Sequence, residues 1–171
     1  MRVMPVITLV LASLLAACSI HSQHSTEPLS REARWALLPL VNYAQAPQAG
    51  ERAEQILQSL LASEGLVPQR YPQGKAGELP QLDDRVRLHE AQQWAAQQGF
   101  AYAITGSVEE WQYKNGLDGE PAVGVTLQVI EPGSGRVLWT TSAARAGWSR
   151  ESLAGAAQKV LAELVDELPL D

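Results

Sequence analysis

A single cysteine, Cys18, stands in this chain of 171 residues, directly after the first apolar run. That placement removes whole classes of architecture. One thiol cannot close an intramolecular disulfide, and a four-cysteine zinc site is impossible. The chain beyond Cys18 has to be held together by an ordinary hydrophobic core. From Cys18 onward 154 residues remain, one domain's worth. A domain of that size buries about two thirds of the surface its unfolded chain exposes.

The residues before Cys18 address the compartment. Arg2 supplies a positive charge, Val3 to Leu15 is almost wholly apolar, and Leu15-Ala16-Ala17 precede the cysteine. The run is shorter than the ~20 residues a membrane-crossing helix needs. A charged start, a short apolar core and small residues at a cut site read as a signal peptide. Leu15-Ala16-Ala17-Cys18 resembles the bacterial lipobox, in which the chain is cut before the cysteine and the thiol is acylated. Residues 1–17 are then the signal peptide, and Cys18 carries palmitate-type acyl chains. A lipidated thiol is no longer reactive, which accounts for a lone cysteine in an exported protein. Each buried methylene contributes about 0.8 kcal/mol, so two or three chains anchor firmly. Ser19, where an Asp would favour the inner membrane, points to the outer membrane.

Residues 18–33 read as a lipidated flexible tether, because Ser19 to Ser30 is rich in Ser, His, Gln and Thr without periodicity. His21 and His24 read there as polar tether residues rather than a metal pair. Residues 34–171 read as one α/β domain. Trp35 to Val41 is a continuous apolar run, the pattern of a strand buried on both faces. Pro39 removes a ladder donor and predicts a bulge or an edge position there. Glu51 to Gly65 is helical, with Ala53, Ile56, Leu57, Leu60 and Leu61 on one face and Gly65 at the C-terminal cap. Leu66 to Tyr71 reads as a short strand and 72–80 as a Gly/Pro loop. Asp83 or Asp84 caps a second helix ending near Gly99, with Leu88, Ala91, Trp94 and Ala95 as its apolar stripe. Three strand candidates come next, over 101–114, 122–131 and 135–146, the last two joined by a turn at Pro132-Gly133-Ser134-Gly135. A last helix runs over about 150–168 with Ser149 as its cap. The order β-α-β-α-β-β-β-α predicts a mixed sheet with packed helices.

No catalytic signature stands out. The chain has no Gly-x-Ser-x-Gly elbow, no phosphate-binding Gly-Lys-Ser/Thr loop and no His-Glu-x-x-His. Three scattered histidines supply no nucleophile-base arrangement, and His89 reads as a solvated helix residue without a partner. Glu109-Glu110 and Asp118/Glu120 could pair as glycosidase carboxylates. Neighbours on a strand point to opposite faces, however, which weakens Glu109-Glu110. The chain therefore reads as a non-enzyme, with no cofactor and no metal. Without Arg2 the balance is 12 basic against 19 acidic residues, a formal −7. Such acidity argues against nucleic acid and permits a cationic partner. Of the five tryptophans, Trp35, Trp94, Trp111 and Trp139 read as core. Trp148, in Gly147-Trp148-Ser149, has two readings. With Ser149 as cap it staples onto Leu153; alternatively it is exposed at a membrane interface.

Several segments resemble the PelC family. They are Pro39 to Tyr43 with Pro47 to Gly50, Thr105 to Val108 with Trp111 and Tyr113-Lys114, Asp118 to Thr126, Val137 to Trp139, Gly147 to Glu151, and Gln158-Lys159. Together they span most of residues 35–165, and the stretches 118–126 and 147–151 are the most specific. The resemblance implies an outer-membrane lipoprotein of the Pel exopolysaccharide export system used in biofilm formation. It implies an α/β domain like the amino-terminal domain of TolB. It further implies a homo-oligomeric periplasmic ring around the path to a PelB-like outer-membrane porin. Acidic surface, here Asp118 and Glu120, would face a cationic polysaccharide, and Trp148 would touch the membrane. A periplasmic adaptor lipoprotein that binds and activates a cell-wall enzyme is the alternative on a similar fold.

Overall fold

The computed structural model describes residues 22–25, 28–72, 83–114, 119–148 and 150–171. Its elements run β1 (Ser22–Ser25), β2 (Trp35–Asn42), α1 (Ala49–Ser63), β3 (Gln69–Arg70), α2 (Asp84–Gln97), β4 (Tyr102–Tyr113), β5 (Pro121–Ile130), β6 (Val137–Ala146) and α3 (Leu153–Asp166). Among the described residues the strands form one six-stranded sheet in the order β1-β6-β5-β4-β2-β3. Strands β4, β5 and β6 are an antiparallel meander. Strand β2 runs parallel to both β4 and β3, and each of those connections carries a helix, as parallel pairing requires. The fold is the mixed α/β arrangement that the sequence pattern predicts, with one strand added at its start.

The sheet has unequal faces. Helices α1 and α3 cover one of them, where Leu57, Leu61, Ile104, Val108, Leu127, Trp139, Val160, Leu161 and Leu164 form the main core. On the other face Ala36, Leu38, Ala91, Ala95 and Phe100 form a smaller core, with Leu88 and Trp94 packed against it. Strand β2 contributes to both cores, which is why its apolar run is continuous.

Local chemistry sets the element ends. Gly65, at φ 78°, closes α1: its amide and that of Leu66 donate to the carbonyls of Ala62 and Leu61 at 3.1 and 2.9 Å. This is the Schellman arrangement that only glycine adopts without strain. It also shortens the next strand. The Leu66 amide is spent on the cap and Pro68 has no N–H, so β3 begins only at Gln69; Gln69 and Arg70 pair with β2, and the Tyr71 amide donates to the Leu37 carbonyl at 2.9 Å. The α2 cap is Asp83, whose carboxylate accepts from the Arg85 amide at 2.9 Å. At Pro39 the register of β2 against β4 slips between Leu37 and Leu40, and the Thr105 hydroxyl donates to the Pro39 carbonyl at 2.8 Å. The expected bulge is therefore present.

Two expectations are corrected. Part of the stretch read as a tether belongs to the fold. Ser22–Ser25 pairs antiparallel with β6, Leu29 is buried and bridges to Leu170, and the Leu29 amide donates to the Pro169 carbonyl at 2.7 Å. An open sheet edge accepts any short polar segment through its backbone, and such pairing leaves no side-chain pattern to read. The last helix begins at Leu153 rather than near Arg150. Its cap is Ser152, whose hydroxyl accepts from the Gly155 amide at 3.0 Å. Ser149, the expected cap, lies outside the described residues.

Candidate functional site

Four segments converge at one end of the sheet: the end of β4, the start of β5, the end of β6 and the approach to α3. The antiparallel register brings Tyr113 opposite Pro121 and Ala122 opposite Ala146. Past those pairs the backbone closes on itself. The Lys114 amide donates to the Glu120 carbonyl and the Gly147 amide to the Pro121 carbonyl, both at 2.7 Å. The Leu153 amide donates to the Tyr113 hydroxyl at 2.9 Å, tying the start of α3 to the meander. Gly147 has to be glycine here. A Cβ at that position would lie 2.7 Å from Pro121 Cγ and clash with a carboxylate oxygen of Glu151.

Glu151 organises the turn that carries Trp148. Its amide donates to the Trp148 carbonyl at 2.8 Å. Its carboxylate sits 2.9 Å from Lys159 Nζ and 3.6 Å from the Arg145 guanidinium. The hydrogen bond from Lys159 holds the Glu151 carboxyl below the usual carboxylate range; the charges of Lys159 and Arg145 add to this, and desolvation works against it. Trp148 itself is 78 % exposed. With Ser152 as the cap, Trp148 no longer occupies the position before it, and its ring lies mostly in solvent. The staple onto Leu153 is thus overturned. The other four tryptophans are in the cores, Trp94 only partly buried, against Tyr71 and Phe100 at 5.5 and 5.1 Å between ring centroids.

Of the acidic candidates, Glu120 is exposed at this same end. Asp118 lies outside the described residues, as do Cys18 and His21. Trp148 and Glu120 are therefore brought together, joined through Pro121 and Gly147. Glu109 and Glu110 behave differently from expectation. A register slip between Val108 and Glu110 lets both line one shallow cleft of about 200 Å³ beside Tyr43. Strict alternation fails wherever a bulge inserts a residue. Their carboxylates accept from Ser107 and Gln112 respectively. His89 has a partner after all, Gln93 one turn on at 2.9 Å, and it is exposed. Among the described residues no group of three or more His, Cys, Asp or Glu could hold a metal ion. Among the same residues no helix is long and apolar enough to cross a membrane.

Sequence reasoning missed a second cluster. Glu54, 3 % exposed on α1, accepts from the Leu40 amide at 3.1 Å and pairs with Arg70 at 2.6 Å and Arg87 at 2.8 Å. Asp84 accepts from the Asn42 amide at 3.0 Å. These carboxylates fill backbone donors of β2 where β3 no longer reaches. The one signal available was Glu54 itself, a charge next to Ala53 on the apolar stripe.

The architecture defines an α/β domain of a kind found in bacterial lipoproteins. GNA1162 from Neisseria meningitidis shares the fold, at TM-score 0.51 and 15 % identity, with 79 % of this chain and 96 % of that one covered. No family model and no curated protein sequence matches the chain. Among solved structures, the PelC dodecamer from Paraburkholderia phytofirmans matches at TM-score 0.73 and 33 % identity, covering 90 % of this chain and 99 % of that one. A dodecameric leucine-to-methionine variant of it matches at TM-score 0.74 and the same identity, covering 90 % and 100 %. The chain belongs to the PelC family.

Proposed function

We propose that this protein is an outer-membrane lipoprotein, anchored through Cys18, that assembles into a periplasmic ring guiding a cationic exopolysaccharide to its outer-membrane pore. The observation that carries the reading is the match, along essentially the whole length, to a PelC that forms a dodecamer. The geometry supports it. A ring needs two different, mutually complementary surfaces per copy. Glu120 stands exposed on the connection after β4, and Asp118 lies two residues before it in sequence. One exposed carboxylate contributes only about 0–1 kcal/mol to an ion pair. Repeated around a ring, many such charges attract a polycation over about 8 Å at physiological salt without gripping it. Trp148, exposed on a braced turn, serves as the membrane contact. A PelB-like porin is the partner at the exit.

The mass of residues 19–171 in solution tests the assembly. A closed oligomer is expected at micromolar concentration, and a strict monomer at high concentration argues for the adaptor alternative. Asp118→Asn with Glu120→Gln tests the charge. Polymer export should fall while the assembly persists, and unchanged export removes the charge from the mechanism.

A further inference from the structure

We infer that neighbouring copies join through a vacant helix place on the sheet: the open face of β4–β6 in one copy receives the outer side of α1 from the next. The inference rests on the reading that the chain assembles into a ring. Helices α1 and α3 cover one face of the sheet, but among the described residues only α2 lies on the other. The core beneath α2 takes in β2, Ala103 of β4 and Ile130 of β5, and nothing of β6. Past it Ser107, Thr126, Gln128, Thr140, Ser142 and Ala144 share that face in register, half-buried or exposed. None of the six is charged, whereas ordinary surface is rich in Lys, Arg, Glu and Asp. Charge is depleted at the centres of interfaces. The hydroxyls are already satisfied within the face. Thr126 and Ser142 bond each other at 2.9 Å, Thr140 donates to the Leu127 carbonyl at 3.2 Å, and Ser107 donates to Glu109. A surface laid over them therefore strands no donor. Gly124 lies on the same side, and a Cβ there would come no nearer than 3.5 Å to Glu110 and 3.7 Å to Ala144, ordinary contacts. The chain's own packing does not require that glycine, and a bare strand position lets another element come close.

A closed ring needs a second, different surface on each copy. Strand pairing between copies does not supply it. On the β2 side the Leu40 and Asn42 amides are held by Glu54 and Asp84, and β3 is two residues long, so no continuous sheet can run from copy to copy there. The helices differ in what they turn outward. Helix α2 exposes Arg85 and Glu90, and α3 exposes Lys159 and Glu163. Between Gln55 and Ala62 the exposed residues of α1 are Gln55, Gln58, Ser59 and Ala62, none of them charged. Helix α1 packs on the face opposite the vacancy, so the two surfaces are the front and back of one copy. Each α1 then lies between its own sheet and the next, and the neighbour's second face gains the helix it lacks, beside α2.

The test uses the full mature lipidated protein in detergent, with assembly read from its mass. Ser59→Arg on α1 and Thr126→Arg on β5 each put a charge into the joint, and the ring fraction should fall at least tenfold. Gln93→Arg, on the exposed side of α2, should leave the ring fraction unchanged. Urea unfolding of each variant separates a lost joint from a lost fold. Ser59 is an exposed helix residue, so its variant keeps the fold even where Thr126→Arg does not. In a second arm Ser59→Cys/Thr126→Cys is treated with a bifunctional maleimide, and the parent gives the background. A ladder of covalently joined copies is expected from the double variant. Each single cysteine variant should match the parent, because the two surfaces differ. An intact ring in folded Ser59→Arg, or no ladder from an intact ring of the double variant, overturns this joint alone. A monomeric parent overturns the ring and the joint together.

Discussion

Two glutamates in this molecule each hold a pair of cations, and their surroundings give the same chemistry different uses. Glu54 is buried, pairs with Arg70 and Arg87, and occupies the Leu40 amide on the open edge of β2. Glu151 pairs with Lys159 and Arg145, whose side chains remain 61 % and 37 % exposed, and it braces a turn whose tryptophan is left in solvent. In the first region charge stands in for a strand that ends after two residues, so the edge cannot recruit another chain. In the second, charge presents a ring to the outside. A buried pair is costly to break, whereas an exposed one contributes little to stability. The β2 edge is therefore architecture, whereas the Trp148 end leaves its aromatic ring in solvent.

The sharpest break in that comparison is Glu54→Ala. It leaves Arg70, Arg87 and the Leu40 amide without their shared acceptor. Removing one partner of a buried pair costs about 3–5 kcal/mol. Urea unfolding at fixed protomer concentration measures it. A loss below about 1 kcal/mol would mean that water reaches the cluster and that Glu54 does not close the edge. Next in size is Ser152→Ala. The hydroxyl is the acceptor for the Gly155 amide, and losing such a cap costs about 1 kcal/mol. No loss would return the start of α3 to an earlier residue and reopen the staple.

How much of this was legible depends on which physics leaves a mark on residue types. The stripes Ala53-Leu57-Leu61 and Val160-Leu161-Leu164, the alternation from Val123 to Val129 and the run Trp35 to Val41 are burial patterns, and burial is written in side chains. Pro39 and Gly65 announce their bulge and cap because their backbone restrictions are intrinsic. Strand β1 was illegible, since an edge strand can form through backbone hydrogen bonds alone. The choice between Ser149 and Ser152 was illegible for a related reason: both are competent caps, and the helix start depends on where Tyr113 and Glu151 hold the chain. At the candidate site, Trp148 was identifiable by its position between a strand and a helix, but its exposure was not. The role of Glu54 depends on three distant segments, and no local pattern encodes that.

Glu151→Gln probes the second region by pH. The folded carboxyl lies below its ordinary value, so the ionised form is the one the fold favours. A depressed pKa contributes stability that is present above the unfolded value, about 4.3, and is lost as pH falls through the folded value. The parent should unfold at a higher urea concentration than Glu151→Gln at pH 7, and the difference should shrink as pH falls below the unfolded value and through the folded one. A difference that persists unchanged into acid would mean that the packing of Glu151 against Gly147, rather than its charge, holds the turn.

The smallest expected effect is the most informative about presentation. Trp148→Ala deletes the same side chain whose loss from a core site such as Trp139 would cost about 3–5 kcal/mol. At 78 % exposure the indole has few contacts to lose, and surface substitutions usually fall within about 0.5 kcal/mol. Urea unfolding of the assembly without membranes should therefore barely separate Trp148→Ala from the parent. A loss above about 1.5 kcal/mol would show that Trp148 packs in solution, as the staple required, and would erase the contrast between the two regions. An unchanged stability has the opposite consequence. The indole then adds nothing to the fold of the isolated protein, which leaves it free for the membrane contact proposed for it.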